Sequence, residues 1–181
     1  HRGRVAGGSS SGSAVSISDH MAAASIGSDT GGSTRTPAAF CGIVGFKPTT
    51  TRMSPDGVFP LSQSFDAAGP MATSVSCCTI LDSLMAGGPG EDEAPVALNG
   101  IRLAMPKGYL FEDLDPHVAH SFNVAIEKLS AAGAIIVDIT INEIETLRPS
   151  NNPKSIVAAE AYAIHKDRLE AGLGDQYDPL V

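Results

Sequence analysis

The 181-residue chain is short of basic residues, short of cysteines and free of long hydrophobic runs, and each shortage excludes a class of function. Twelve Lys+Arg stand against twenty Asp+Glu, a formal charge of −8. No Lys/Arg cluster occurs, whereas a nucleic-acid-binding surface normally shows as clustered basic residues. No apolar run reaches the ~18 residues of a transmembrane helix, so no membrane span is expected. The three cysteines, Cys41, Cys77 and Cys78, are odd in number and form no C-x-x-C. They make a poor disulfide framework and a poor zinc site, and free thiols suit a reducing cytoplasm. An initiator Met is also lacking: the chain opens at His1, straight into a Gly/Ser-rich motif, and stops at Val181. It reads as an internal piece of a longer protein, in which any targeting signal would lie upstream.

What is present suits a globular protein with a core: 43% hydrophobic and 18% charged residues. A loop of small residues over 1–13 leads into a short helix from Ser13 to about His20. Ala23–Asp29 reads as a buried strand of small residues. Gly31-Gly32 marks a tight turn, Ser33–Phe40 starts a short helix, and Ile43–Phe46 is a short strand. Residues 48–73, with four prolines, are expected to be mostly irregular. Ser74–Met85 is helical, stopped by Gly87-Gly88, and an acidic linker runs to Pro95. Ile101–Met105 is a strand. Asp115 can cap a helix beginning at Pro116, whose face carries Val118, Phe122, Ala125, Ile126 and Leu129, with Gly133 as its stop. Ile135, Val137, Ile139 and Ile141 then alternate with other residues as in a strand. This βαβ pattern over about 101–141 predicts a parallel pair. A last helix spans about Ser155–Ala171.

Two segments join flexible backbone to hydroxyl side chains: Gly7-Gly8-Ser9-Ser10-Ser11-Gly12-Ser13, and Gly27-Ser28-Asp29-Thr30-Gly31-Gly32-Ser33-Thr34-Arg35. In the second, two glycines let consecutive N–H groups converge on one spot, where they would stabilise an anion. Ser33 sits at that spot, the arrangement acyl transfer needs. Asp29 and Arg35 flank it and could pair to brace the turn. Plain Gly/Ser loops would show the same composition. A phosphate-binding loop would need Lys where Ser13 stands. Gly8-Ser9-Ser10-Ser11-Gly12 fits the G-x-S-x-G elbow, which would make Ser10 the nucleophile, although His1–Val5 does not read as the strand an elbow requires.

Taken together, these segments closely resemble the amidase signature family. The resemblance extends through Thr36-Pro37-Ala38-Ala39-Phe40-Cys41-Gly42, Gly45-Phe46-Lys47-Pro48-Thr49, Gly57-Val58-Phe59-Pro60-Leu61 and Phe65-Asp66-Ala67-Ala68-Gly69-Pro70-Met71-Ala72. It is strong over 7–72 and less diagnostic over 73–181. It implies an α/β fold, a mixed central β-sheet flanked by helices, of which 1–181 would be an internal, incomplete part of a single domain. It implies that Ser33 is the nucleophile and that Ser9 is the serine of a cis Gly8–Ser9 peptide bond. The N–H groups of Thr30, Gly31, Gly32 and Ser33 would form the oxyanion hole, with Ser10, Asp29 and Arg35 in support. Ser11 departs from the glycine many relatives carry there.

The family's third catalytic residue is a lysine well before the cis serine. Here all five lysines, Lys47, Lys107, Lys128, Lys154 and Lys166, follow Ser33. The resemblance therefore implies a base outside these residues, and the 181 residues alone are expected to be inactive. The relay needs no metal and no organic cofactor. The implied partner is a small-molecule amide, with neither nucleic acid nor membrane, and a homodimer is compatible with the family. The Pro55–Leu61 stretch looks like stand-alone amidases. Within the family, one branch is a component of glutamine-dependent tRNA amidotransferases, and some members are inactive. His117 and His120 read as part of a solvated acidic helix face rather than a metal site, and His20 and His165 as structural.

Overall fold

The computed structural model describes residues 3–92, 94–145 and 156–178. The chain divides into two compact units, His1–Glu93 with Ser155–Val181, and Ala94–Lys154. The α/β class holds, with antiparallel pairing in the first unit and parallel pairing in the second.

The first unit opens with helix α1 (Ser11–Ser18), strand β1 (Ala24–Asp29), helix α2 (Arg35–Cys41) and the two-residue strand β2 (Val44–Gly45). Strand β3 (Ala67–Ala72) lies between β1 and β2, antiparallel to both. Helix α3 (Val75–Met85) follows, and the Ser74 hydroxyl caps it by accepting from Cys77 N–H at 3.1 Å. The core is built from small and medium side chains. Ala14 of α1, Ala38 of α2 and Met71 of β3 are buried together, with Cys41 and Ile43 against them.

Two expectations are corrected here. Residues 48–73 contain the central strand of this sheet rather than only irregular chain. Pro70 hides it, because proline normally stays out of central strands. The Pro70 carbonyl accepts from Phe46 N–H at 3.0 Å, on the β2 side. A residue's amide nitrogen and carbonyl point to the same side of an antiparallel strand. The missing N–H therefore faces the edge where β2 has already ended, and the long ladder to β1 loses nothing. Strand β1 also alternates instead of being wholly buried: Gly27 and Asp29 point inward, whereas Ile26 is 57% exposed.

Gly69 shows how closely the backbones approach. A Cβ placed there would lie 2.0 Å from the Phe46 carbonyl oxygen. Backbone cannot yield as a flexible side-chain tip does, so Gly69→Ala is expected to cost roughly 3 kcal/mol of stability. Urea unfolding of the complete protein tests this, and an unchanged midpoint would show that the sheet relaxes freely.

In the second unit, strand β4 (Arg102–Lys107) pairs in parallel with β5 (Ile135–Thr140), and helix α4 (Pro116–Ala131) lies between them in sequence. Asp115 Oδ1 caps α4, accepting from His117 N–H at 2.8 Å, and Pro116 is its first residue. The half-buried face of α4 carries Ala119, Phe122, Ile126 and Leu129, while Val118 and Ala125 are exposed, a shift from the expected stripe. His117 and His120 are exposed, and the described residues hold no group of three His, Cys, Asp or Glu side chains suited to a metal. The short helix α5 (Asn142–Glu145) closes this unit's described part.

Helix α6 (Ile156–Glu170) returns to the first unit. The expected start of this helix at Ser155 lies outside the described residues. No described helix is long and apolar enough to cross a membrane.

Candidate active site

The Gly/Ser segment 7–13 is held against the 27–35 turn by main-chain and hydroxyl hydrogen bonds. Ser10 N–H donates to Ser33 O at 3.0 Å. The Ser10 hydroxyl donates to Ser28 O at 3.3 Å and the Ser13 hydroxyl to Ile26 O at 3.0 Å. Ser25 donates back to Ser13 O at 3.1 Å. Close approach requires small residues: a Cβ at Gly27 would sit 2.7 Å from Ser10 Oγ and 2.8 Å from Thr34 Oγ1. The Gly8–Ser9 peptide bond is cis.

Asp29, at the end of β1 and fully buried, organises the turn. Its Oδ1 accepts from Gly32 N–H at 2.7 Å and its Oδ2 from Thr34 N–H at 3.2 Å and Arg35 N–H at 3.3 Å. The Arg35 fork closes on both oxygens at 3.0 Å, the bidentate pairing that suits guanidinium and carboxylate. Burial alone would raise the Asp29 pKa, but the Arg35 side chain and the three N–H groups overcome it and hold the carboxyl at about 2. Arg35 is pushed further up by the same pair. Gly32 has φ +115, a conformation L side chains rarely adopt, and a Cβ there would also meet Thr36 Oγ1 at 2.9 Å.

Ser9 and Ser33 line one cavity of about 510 Å3 together with Ser28 and Thr30. Neither the Ser9 nor the Ser33 hydroxyl makes a hydrogen bond to the described protein atoms, unlike Ser10, Ser13 and Ser25, whose hydroxyls are committed to the scaffold. Of the four N–H groups expected to converge on an anion, that of Gly32 is given to Asp29. Those of Thr30, Gly31 and Ser33 donate to no described acceptor. Ser10 is not among the residues lining the cavity, and residues 3–9 contain no strand, so the elbow reading of Ser10 lacks its scaffold.

Three further groups take part that the sequence pattern does not single out. Asp66, just before β3, accepts the Thr30 hydroxyl on Oδ1, and Leu61 N–H at 2.7 Å and Ser62 N–H at 2.9 Å on Oδ2. Burial pushes its pKa up and Glu160 does the same, but these hydrogen bonds prevail and hold it below the usual carboxylate range. Glu160 of α6 accepts the hydroxyls of Ser62 and Ser64 and Ser64 N–H, and these bonds lower its pKa. Asp66 lies inside a segment that carries the family resemblance, whereas Glu160 stands nearly a hundred residues away with no local signal. His165 also gains partners that its spacing does not suggest: its Nδ1 lies 2.8 Å from the Tyr177 hydroxyl, and its ring lies 5.7 Å from that of Phe59.

A family model described as Amidase matches residues 1–178. The chain belongs to the amidase family. This amidase chain is 39% identical over 150 residues to a glutamyl-tRNA(Gln) amidotransferase subunit of Methylococcus capsulatus, covering 76% of the chain and 31% of that protein. It is 36% identical over 186 residues to indoleacetamide hydrolase of Allorhizobium ampelinum, covering 98% of the chain and 38% of that protein. A crystal structure of an amidase superposes with a TM-score of 0.79 at 34% identity, over 97% of the chain and 39% of that structure. The chain thus spans between 31% and 38% of the length of these two curated relatives.

Proposed function

We propose that the complete amidase hydrolyses a carboxylic amide to carboxylate plus ammonia or amine through an acyl-enzyme on Ser33. Ser9 passes protons between Ser33 and a lysine outside these residues. The observation that carries this reading is the pair of uncommitted hydroxyls, Ser9 and Ser33, in one cavity beside a turn whose free N–H groups can meet an oxyanion. No lysine is among the residues lining that cavity. The base is therefore supplied from elsewhere, and these 181 residues alone are expected to be inactive.

The steps balance. A neutral lysine takes the Ser9 proton as Ser9 takes that of Ser33. Ser33 Oγ bonds to the amide carbon, and the oxyanion faces the N–H groups of Thr30, Gly31 and Ser33. Three donors rather than four are assigned, because Gly32 serves Asp29. One such donor contributes about 3 kcal/mol in comparable sites. The proton returns through Ser9 to the departing nitrogen, the C–N bond breaks, and water attacks the ester by the same route.

The Pro55–Leu61 stretch and the likeness to indoleacetamide hydrolase support a stand-alone enzyme. The likeness to the amidotransferase component supports a second reading, action inside a complex. Ammonia release from simple amides by the complete protein distinguishes them. Turnover without partners is expected, with Ser9→Ala slowing it by about a thousandfold. A folded complete protein that releases ammonia only with added partner subunits would favour the second reading.

A further inference from the structure

The cavity that holds Ser9 and Ser33 has an uneven lining. One side carries the serine and threonine hydroxyls and Asp66, and the other carries Met53, Pro55, Val58, Phe59, Pro60 and Leu61. Phe59 is 76% exposed, Leu61 46% and Val58 39%, so this wall presents apolar surface that a ligand would take out of water. Its volume of about 510 Å3 is ample for a small organic acyl group.

The charge of the lining is one-signed. Asp66 is its single formally charged residue, and no lysine, arginine or histidine is among the described residues that form it. Asp66 is fixed in place by the Thr30 hydroxyl and by two backbone N–H groups. Glu160 stands behind it through Ser62, whose N–H donates to Asp66 and whose hydroxyl donates to Glu160. The guanidinium of the neighbouring turn, Arg35, is bound to Asp29 through two of its nitrogens. Both Asp66 and Glu160 have pKa values below the ordinary range and stay ionised near neutrality.

We infer that this cavity selects amides whose acyl part is uncharged and apolar, and discriminates against amides carrying a carboxylate, with Asp66 as the residue that sets the charge preference. An acyl chain laid on Val58, Phe59 and Leu61 gains burial. A carboxylate at the same place loses its hydration, finds no cation and faces Asp66 across a poorly screened space. This substrate class deepens the proposed function and rests on the same cavity.

Hexanamide and adipamate test it, because they share one carbon skeleton and differ by a terminal methyl against a terminal carboxylate. Binding is measured by calorimetry on the complete protein carrying Ser33→Ala, so the result does not depend on turnover. Hexanamide is expected to bind roughly 30-fold more tightly than adipamate at low salt. Asp66→Asn should narrow the gap about fivefold by removing the negative charge. Gln63→Arg, which adds a cation to the lining without touching the Asp66 hydrogen bonds, should narrow it by a similar factor. Adipamate binding as tightly as hexanamide, or a gap unchanged in both variants, would overturn the inference. A complete protein that binds hexanamide with this preference yet hydrolyses no amide would instead refute the Ser33 acyl-enzyme.

Discussion

Ser33→Ala in the complete amidase is expected to lower kcat for amide hydrolysis by about 10^4 to 10^6, with little change in substrate binding. The size follows from what is removed. The acyl-enzyme route disappears, and only the N–H groups of the turn and the cavity wall remain to favour the transition state. The stability effect should be small. Ser33 is held by its main chain, through Ser10 N–H on its carbonyl, and its hydroxyl donates to nothing in the scaffold. Thermal unfolding within about 0.5 kcal/mol of the parent, together with the kinetic loss, would separate a chemical role from a structural one. A variant retaining roughly a tenth of the parent's kcat would place the nucleophile elsewhere.

Asp29→Asn is expected to have the largest effect on stability. The parent carboxylate accepts five hydrogen bonds, three from backbone N–H groups and two from Arg35. An amide offers one acceptor oxygen and turns an NH2 group toward donors. At least two of those bonds are lost at a fully buried site, which costs about 3 kcal/mol. Activity should fall with it, because the same bonds aim the turn from which Ser33 projects.

The pH dependence carries a defined sign. The Asp29 pKa lies at about 2 in the folded protein against an ordinary value of 3.8. A depressed carboxyl contributes stability that is present in full above about pH 4 and lost as pH falls toward 2. The shift corresponds to about 2 kcal/mol. Urea midpoints measured between about pH 5 and pH 2 should fall steeply in the parent and less steeply in Asp29→Asn. Equal slopes would show that Asp29 is not the titrating brace.

How much of this is legible in the sequence depends on whether the signal is local. The cap of α4 by Asp115 and Pro116, the paired strands β4 and β5, and the Asp29–Arg35 pair across one tight turn all involve residues close in sequence or strongly periodic. β3 is not legible, because Gly69 and Pro70 carry loop chemistry, and their place in a central strand depends on where β2 stops. The Asp66–Thr30 bond and the Glu160 contacts to Ser62 and Ser64 join residues 36 to 98 positions apart. No periodicity encodes such contacts. The partners of His165 stay hidden for the same reason, since Phe59 becomes its neighbour only through folding. The expected four-donor anion site needs the geometry to show that Gly32 N–H is already used.

Whether Ser33 or Ser10 is the nucleophile is tested most directly by fluorophosphonate labelling of the complete amidase, with the modified residue located by mass spectrometry. Label is expected on Ser33, slowed in Ser9→Ala and abolished in Ser33→Ala. Label on Ser10, or a folded protein that takes no label at all, would contradict the Ser33 acyl-enzyme.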